Sequence, residues 1–270
     1  MIPSKNRGSS FVAIFFLEIA GFSILFWAPS LLDGNENPSA KKVLFVAAAS
    51  NLRFVMNEIA IEFEKENGAA VKVSYGSSGS ISAQIKAGAP YDLFFSADES
   101  IPRKLVKEGF AERDSFFLYG IGRIVLWVAN QSVIDLETEG MDGLVHTSVH
   151  KIAIANPRHA PYGSAAISAL KNLSIFKKVE KKIILGENVS HVAQFVQSGG
   201  AEIGILSYSL AISAPLKESG RYWKIPPENY PEIVQAAVIL LESQNSVLSR
   251  SFMDFIKKGR GKNILLQYGL

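Results

Sequence analysis

The 270-residue chain contains no cysteine. That absence removes disulfides, thiolate zinc sites and cysteine nucleophiles together. It also excludes attachment to a lipid through an N-terminal cysteine. Histidine is scarce: His146, His150, His159 and His191 show no regular ligand spacing, so a histidine-built metal centre is not expected. An excess of one charge is lacking too, because the formal net charge is only +3. The bases are scattered in pairs such as Lys41-Lys42, Lys177-Lys178 and Lys181-Lys182, a solvated surface rather than a nucleic-acid stripe. No Gly-x-Ser-x-Gly elbow of a serine hydrolase occurs. The Gly/Ser turn at 76–80 lacks the Lys-Ser/Thr ending of a nucleotide-phosphate loop. Internal repeats and low-complexity tracts are absent.

What remains is an ordinary globular composition, 48% hydrophobic and 20% charged. The length suits one large domain or two modest lobes, each with its own core. The N-terminus stands apart. Lys5 and Arg7 precede an apolar run from Phe11 to Trp27, the charged start and apolar middle of an export signal. Glu18 interrupts the run and no clean small-x-small cleavage site follows, so the alternative for residues 1–32 is a retained membrane anchor. Residues 33–42 form a polar linker. On either reading the folded part is expected outside the cytoplasm, in the periplasm.

From Val43 onward, strand-like and helix-like segments alternate. Val43–Ala47 is a short continuous apolar run, as in a strand covered on both faces. Leu52, Val55, Ile59 and Phe63 recur at helical spacing until Gly68, a helix stop. Further strands are predicted at Val71–Tyr75, Leu93–Ser96, Ile124–Ala129, Ile152–Ala155, Ile183–Leu185, Ile203–Leu206 and Ile233–Leu241. Helices are predicted at Ile81–Ala87, Glu99–Glu108, Ser164–Leu173, Ser190–Gln197 and Val247–Lys258. Such alternation implies an α/β fold with mainly parallel sheets flanked by helices.

Four strand-to-helix junctions carry clustered donors: Ala47-Ala-Ala-Ser-Asn-Leu, Tyr75-Gly-Ser-Ser-Gly-Ser, Asn156-Pro-Arg-His-Ala-Pro-Tyr-Gly-Ser and Gly186-Glu-Asn-Val-Ser. Helix starts have unsatisfied N–H groups and partial positive charge, so they receive anions readily. Any one such Ser or Asn reads equally well as a plain N-cap. Their repetition in both halves of one exported chain is what points to a ligand.

The same junctions carry a family resemblance. Val46-Ala-Ala-Ala-Ser-Asn, Gly76-Ser-Ser-Gly-Ser and Gly88-Ala-Pro-Tyr-Asp-Leu-Phe-Phe-Ser-Ala-Asp, in that order, resemble periplasmic molybdate-binding proteins. Asn156-Pro-Arg-His-Ala-Pro-Tyr-Gly, Gly186-Glu-Asn-Val and Gly204-Ile-Leu-Ser continue the match to the terminal Gln267-Tyr-Gly-Leu. The resemblance implies a two-lobed periplasmic-binding-protein fold of type II. The first lobe would hold residues 43–122 and 233–270, and the second 123–232. It further implies that Ser50, Asn51 and Ser78, with the backbone N–H groups of Tyr162 and Val189, hold an oxyanion through its oxygens, with no direct metal ligand and no cofactor. Some family members add a tyrosine hydroxyl after the Gly-Ile stretch; here that position is Ser207, and Tyr208 follows it.

The implied role is to capture molybdate, and tungstate with it, for the membrane permease of an ABC importer. The protein would be a monomer, catalyse nothing and bind no nucleic acid. The chemistry agrees, since a fully ionised tetrahedral dianion only accepts hydrogen bonds and these loops offer donors. Hydrogen phosphate would want an acceptor, and only Glu187 is near enough to watch. Rival readings are a receptor for sulfate or another tetrahedral oxyanion and, from another class, an extracellular hydrolase. The hydrolase would need a nucleophile–base pair in the cleft. Asp92 and Asp98 read as loop caps rather than an acid–base pair.

Overall fold

The structure, a computed structural model, describes residues 42–270. The apolar N-terminal segment, and the expected linker up to residue 41, lie outside the described residues. Among the described residues no helix is long and apolar enough to cross a membrane.

β1 (Val43–Ala49) runs through a 3-10 turn, Ser50–Leu52, into α1 (Arg53–Asn67). β2 (Ala70–Gly76), α2 (Ser78–Lys86), β3 (Leu93–Ser96), α3 (Ser100–Lys107) and β4 (Phe117–Gly122) follow. The chain then enters a second sheet with β5 (Ile124–Ala129), α4 (Leu136–Glu139), β6 (Ile152–Ala155) and α5 (Pro161–Asn172). α6 (Phe176–Val179), β7 (Ile183–Gly186) and α7 (Val189–Gln197) come next. β8 (Ile203–Ser207), α8 (Tyr208–Ala211), α9 (Ala214–Ser219) and β9 (Gly220–Lys224) complete this half. β10 (Ile233–Ile239) returns to the first sheet, and α10 (Ser246–Lys258) and α11 (Arg260–Gln267) close the chain.

The sheet orders are β2-β1-β3-β10-β4 and β7-β6-β8-β5-β9. The expected two-lobed α/β class holds, with each sheet mixed where mainly parallel ones were expected. β2, β1 and β3 are parallel, as are β7, β6 and β8. The two remaining strands of each sheet are joined by antiparallel pairing. The reason is the crossing: β5 and β10 are the first strands after the chain changes sheets, and each pairs antiparallel to both its neighbours.

Side-chain parity explains the continuous apolar runs. Leu44, Val46, Ala48 and Phe95 face α1, α10 and α11, whereas Ala47, Phe94 and Val238 face α2 and α3. A sheet covered on both faces has no polar side, so its strands lose the alternation of a half-exposed sheet. Phe63 of α1 meets Phe252 edge-on at 4.9 Å and Phe255 at 5.6 Å. Full burial of such a ring contributes about 1.5–3 kcal/mol. Gly68 ends α1 at φ 65°, and its N–H bonds Glu64 O at 3.0 Å; a side chain there would be strained.

Seven elements have no counterpart among the expected ones: the strands β4 and β9, the short helices α4, α6, α8 and α9, and α11. The two strands are sheet edges, with glycines in Phe117–Gly122 and cations in Gly220–Lys224, so neither shows an apolar run. Asp92 acts as a clamp. Its carboxylate accepts from Phe45 N and Ser243 Oγ, both at 2.8 Å, while Asp98 caps Ser100 N at 2.8 Å.

Candidate functional site

Ser50 and Asn51 lie just past the C-terminal end of β1, and Ser78 opens α2 after β2. Tyr162 lies in the first turn of α5 after β6, and Val189 opens α7 after β7. All five are buried, none more than 4% exposed. They line one cavity at the strand ends of both sheets, with an empty volume of about 200 Å³.

Local capping decides which donors are left for a ligand. In α7, Asn188 Oδ1 accepts from Ser190 N at 3.0 Å and His191 N at 3.2 Å, and Val192 N bonds Asn188 O. Val189 N–H is the one left over. In α5, Pro161 has no N–H, and Gly163 N and Ser164 N both bond Ala160 O; Tyr162 N–H is left over. In α2, Gly79 N bonds His159 O, Ser80 N bonds Ser77 Oγ and Ile81 N bonds Ser77 O. Ser78 N–H is left over again, and its hydroxyl accepts from Ala97 N at 2.9 Å, which leaves the hydroxyl proton free to donate. Three helix starts therefore aim partial positive charge at one cavity. Among the described residues, no charged side chain lines it.

Hydrogen bonds between the sheets surround the cavity. Ser190 Oγ donates to Ser50 O and Ser209 Oγ to Asn51 O, each at 3.0 Å. Ser77 Oγ meets His159 Nδ1 at 2.8 Å. Gly79 N donates to His159 O at 2.9 Å, and a Cβ on Gly79 would stand 2.8 Å from that oxygen. Only glycine permits this approach. Beneath the cavity, Asn51 Nδ2 lies 2.9 Å from Gln235 Oε1, and Gln235 Nε2 lies 3.3 Å from Tyr162 Oη. Burial holds the Tyr162 phenol well above its ordinary pKa, reinforced by neighbouring Tyr230. Burial, with Tyr162 beside it, does the same for Tyr119. Both stay protonated donors.

Ser77, Asn188 and Gln235 were not singled out in the sequence for this site. Ser77 and Asn188 line the cavity as caps, a role their position before a helix predicts. Gln235 carried a signal: it is the lone polar residue in an otherwise apolar strand. The remaining candidates lie elsewhere. Glu187 is exposed beside His191, with 3.9 Å between carboxylate and ring. Ser207 caps Leu210 N at 3.3 Å, while Tyr208 packs edge-on against Tyr222 under Lys224. Neither lines the cavity. A larger groove of about 690 Å³ is lined by Asp98, Glu99 and Glu232, the wrong sign for an anion. Among the described residues, no group of three or more His, Asp or Glu could hold a metal ion.

Residues 44–270 match the model of the bacterial extracellular solute-binding protein family. The chain is 34% identical over 242 residues to the molybdate-binding protein ModA of Rhodobacter capsulatus, covering 90% of this chain and 93% of that one. It is 28% identical to YvgL of Bacillus subtilis, described as a putative ABC transporter substrate-binding lipoprotein, over 95% of this chain and 96% of that one. Among solved structures, the Azotobacter vinelandii periplasmic molybdate-binding protein superposes with a TM-score of 0.78 at 36% identity. It covers 84% of this chain and 97% of its own.

Proposed function

The chain belongs to the bacterial extracellular solute-binding proteins, and from that premise we propose that it captures molybdate, and tungstate with it, and delivers the anion to the membrane permease of an ABC importer. One observation carries the reading: a cavity lined by no charged side chain among the described residues, on which three leftover helix N–H groups and the hydroxyl-bearing Ser50 and Ser78 meet, with Asn51 in its wall. A fully ionised dianion needs donors on every oxygen and no acceptor. Relatives named for molybdate support the choice of anion, and one named for an ABC transporter supports the permease.

The first lobe is residues 43–122 with 233–270, and the second is 123–232. Residues 1–32 act as the export signal or anchor and 33–42 as the linker, so the monomeric protein works in the periplasm. Size is what would separate molybdate and tungstate from the smaller sulfate at a site of donors. Isothermal titration with molybdate, tungstate, sulfate and phosphate tests this. Tight binding of the first two and weak binding of the others is expected, and sulfate equal to or tighter than molybdate overturns it.

A hydrolase would draw on the Ser77–His159 contact of 2.8 Å. That serine already caps α2 through Ser80 N at 3.2 Å and Ser80 Oγ at 2.8 Å, and among the described residues no carboxylate bonds the histidine. The pair therefore serves as an interlobe contact, and the receptor catalyses nothing. Hydrolysis of an activated ester that is lost in His159→Ala would reverse that assignment.

A further inference from the structure

Gln235 is fully buried, its side chain enclosed by Asn51, Tyr119 and Tyr162. It stands where the pairing of β10 with β4 shifts register, between Gln235 and Ala236, and such bulges re-aim a side chain. Two features of this cluster conflict with simple hydrogen-bond chemistry. Tyr119 Oη lies 2.9 Å from Ser96 O and 3.0 Å from Gln235 Oε1, both acceptors. A phenol has one proton and cannot donate to both. Meanwhile Asn51 Nδ2 faces Gln235 Oε1 at 2.9 Å, and Asn51 Oδ1 is buried with no partner.

A carboxamide has two states that differ by half a turn, and its neighbours select between them. Rotating both amides resolves the first conflict without moving a heavy atom of the surroundings, and turns the second from an unpaired acceptor into an unpaired donor. Gln235 Nε2 then donates to Asn51 Oδ1 across the same 2.9 Å and to Tyr119 Oη across the same 3.0 Å. Tyr119 gives its single proton to Ser96 O, and Tyr162 gives its own to Gln235 Oε1 across 3.3 Å. Asn51 Nδ2 then takes the buried position that has no protein partner, on a residue that lines the cavity.

We propose that Gln235 is a positioning residue that turns the Asn51 amide to present donors to the bound anion, and so sets the preference for fully ionised oxyanions over protonated ones. This rests on the oxyanion reading of the cavity. With the amides in the opposite state, Asn51 offers Oδ1, which repels every oxygen of a dianion and suits the hydroxyl of hydrogen phosphate. Tyr119 and Ser96 share the first lobe with Gln235 and select its state there, and Tyr162, on α5 of the second lobe, adds a further bond.

The test combines nuclear Overhauser effects on the wild-type protein saturated with sodium molybdate and a double-mutant cycle. Contacts from the Gln235 side-chain amide protons to the Tyr119 ring are expected; contacts to the Tyr162 ring alone overturn the proposal. Gln235→Met should weaken molybdate about tenfold while leaving hydrogen phosphate nearly unchanged, and by less than about twofold in an Asn51→Ala background. Equal losses in both backgrounds, or parallel losses for both anions, reduce Gln235 to a packing residue and overturn it. Wild-type protein that ignores molybdate defeats the proposed function instead, and the amide contacts to Tyr119 or Tyr162 still decide the orientation.

Discussion

Around the cavity the first lobe sets side chains, the hydroxyls of Ser50 and Ser78 and the amide of Asn51, beside the one backbone N–H of Ser78, whereas the second sets only backbone N–H groups, at Tyr162 and Val189. The difference lies in how the helices begin. α2 starts on a residue whose hydroxyl is already oriented by Ala97 N. α5 and α7 start behind Pro161 and Asn188, which leave one N–H each without a protein acceptor. Two routes thus lead to the same donor chemistry, and they differ in what a mutation can remove. A side-chain donor is lost by truncation, while a backbone donor survives every substitution except proline.

The largest effect is expected at Asn51→Asp on the first lobe. A carboxylate facing a dianion costs several kcal/mol, on the order of a thousandfold in affinity, measured by titration calorimetry. Asn51→Asp binding molybdate as well as wild type would remove that amide from the cavity wall. Next come Ser78→Ala and Ser50→Ala, each losing a hydrogen bond to a charged group, about 1.5–3 kcal/mol or roughly ten- to hundredfold. For Ser78→Ala the melting temperature should also fall, because Ala97 N–H loses its acceptor. Unchanged affinity in both would make these serines caps and nothing more.

On the second lobe, Val189→Pro should cost a similar roughly tenfold or more by deleting the N–H. Proline fits sterically, since position 189 opens its helix and the first helical position tolerates it. Gly79→Ala sharpens the comparison from between the lobes. Its Cβ meets His159 backbone, so molybdate should contract the radius of gyration of wild type more than that of the variant in small-angle scattering. Identical contraction would mean that α2 and His159 do not meet in the bound state. The smallest effect is expected for Val189→Ala, within about threefold, because the donor stays. Equal losses for the alanine and proline variants, both folded, would erase the distinction between the lobes.

Much of the scaffold was legible because local and tertiary demands agreed. Leu93–Ser96 and Ile152–Ala155 are apolar runs bounded by polar turns, and both are strands at those residues. Val55, Ile59 and Phe63 recur at helical spacing, and all three are fully buried. β4 and β9 escaped because an edge strand is defined by its neighbour: Phe117–Gly122 becomes a strand through β10, and Gly220–Lys224 through β5. Strand direction escaped as well, since nothing in Ile233–Ile239 records that the chain has just crossed from the other sheet. Of the site, the junctions were legible as donor-rich helix starts. Gln235 was visible only as an oddity in an apolar strand, and neither partner of Asn51 nor the meeting of Ser77 with His159 could be read from spacing.

The sequence by itself determined the chemistry available: hydroxyls, amides and proline-led or asparagine-capped helix starts at four strand ends, with no cysteine among them. These are local properties, set within a few residues by capping geometry. Only the tertiary structure decided which donors remain unspent and that they converge. Asn51 and Gln235 stand 184 residues apart in the chain, and Ser50 and Ser190 stand 140 apart. A hydrogen bond depends on the direction of its partner, and across such separations that direction exists only once two sheets have been built and brought face to face.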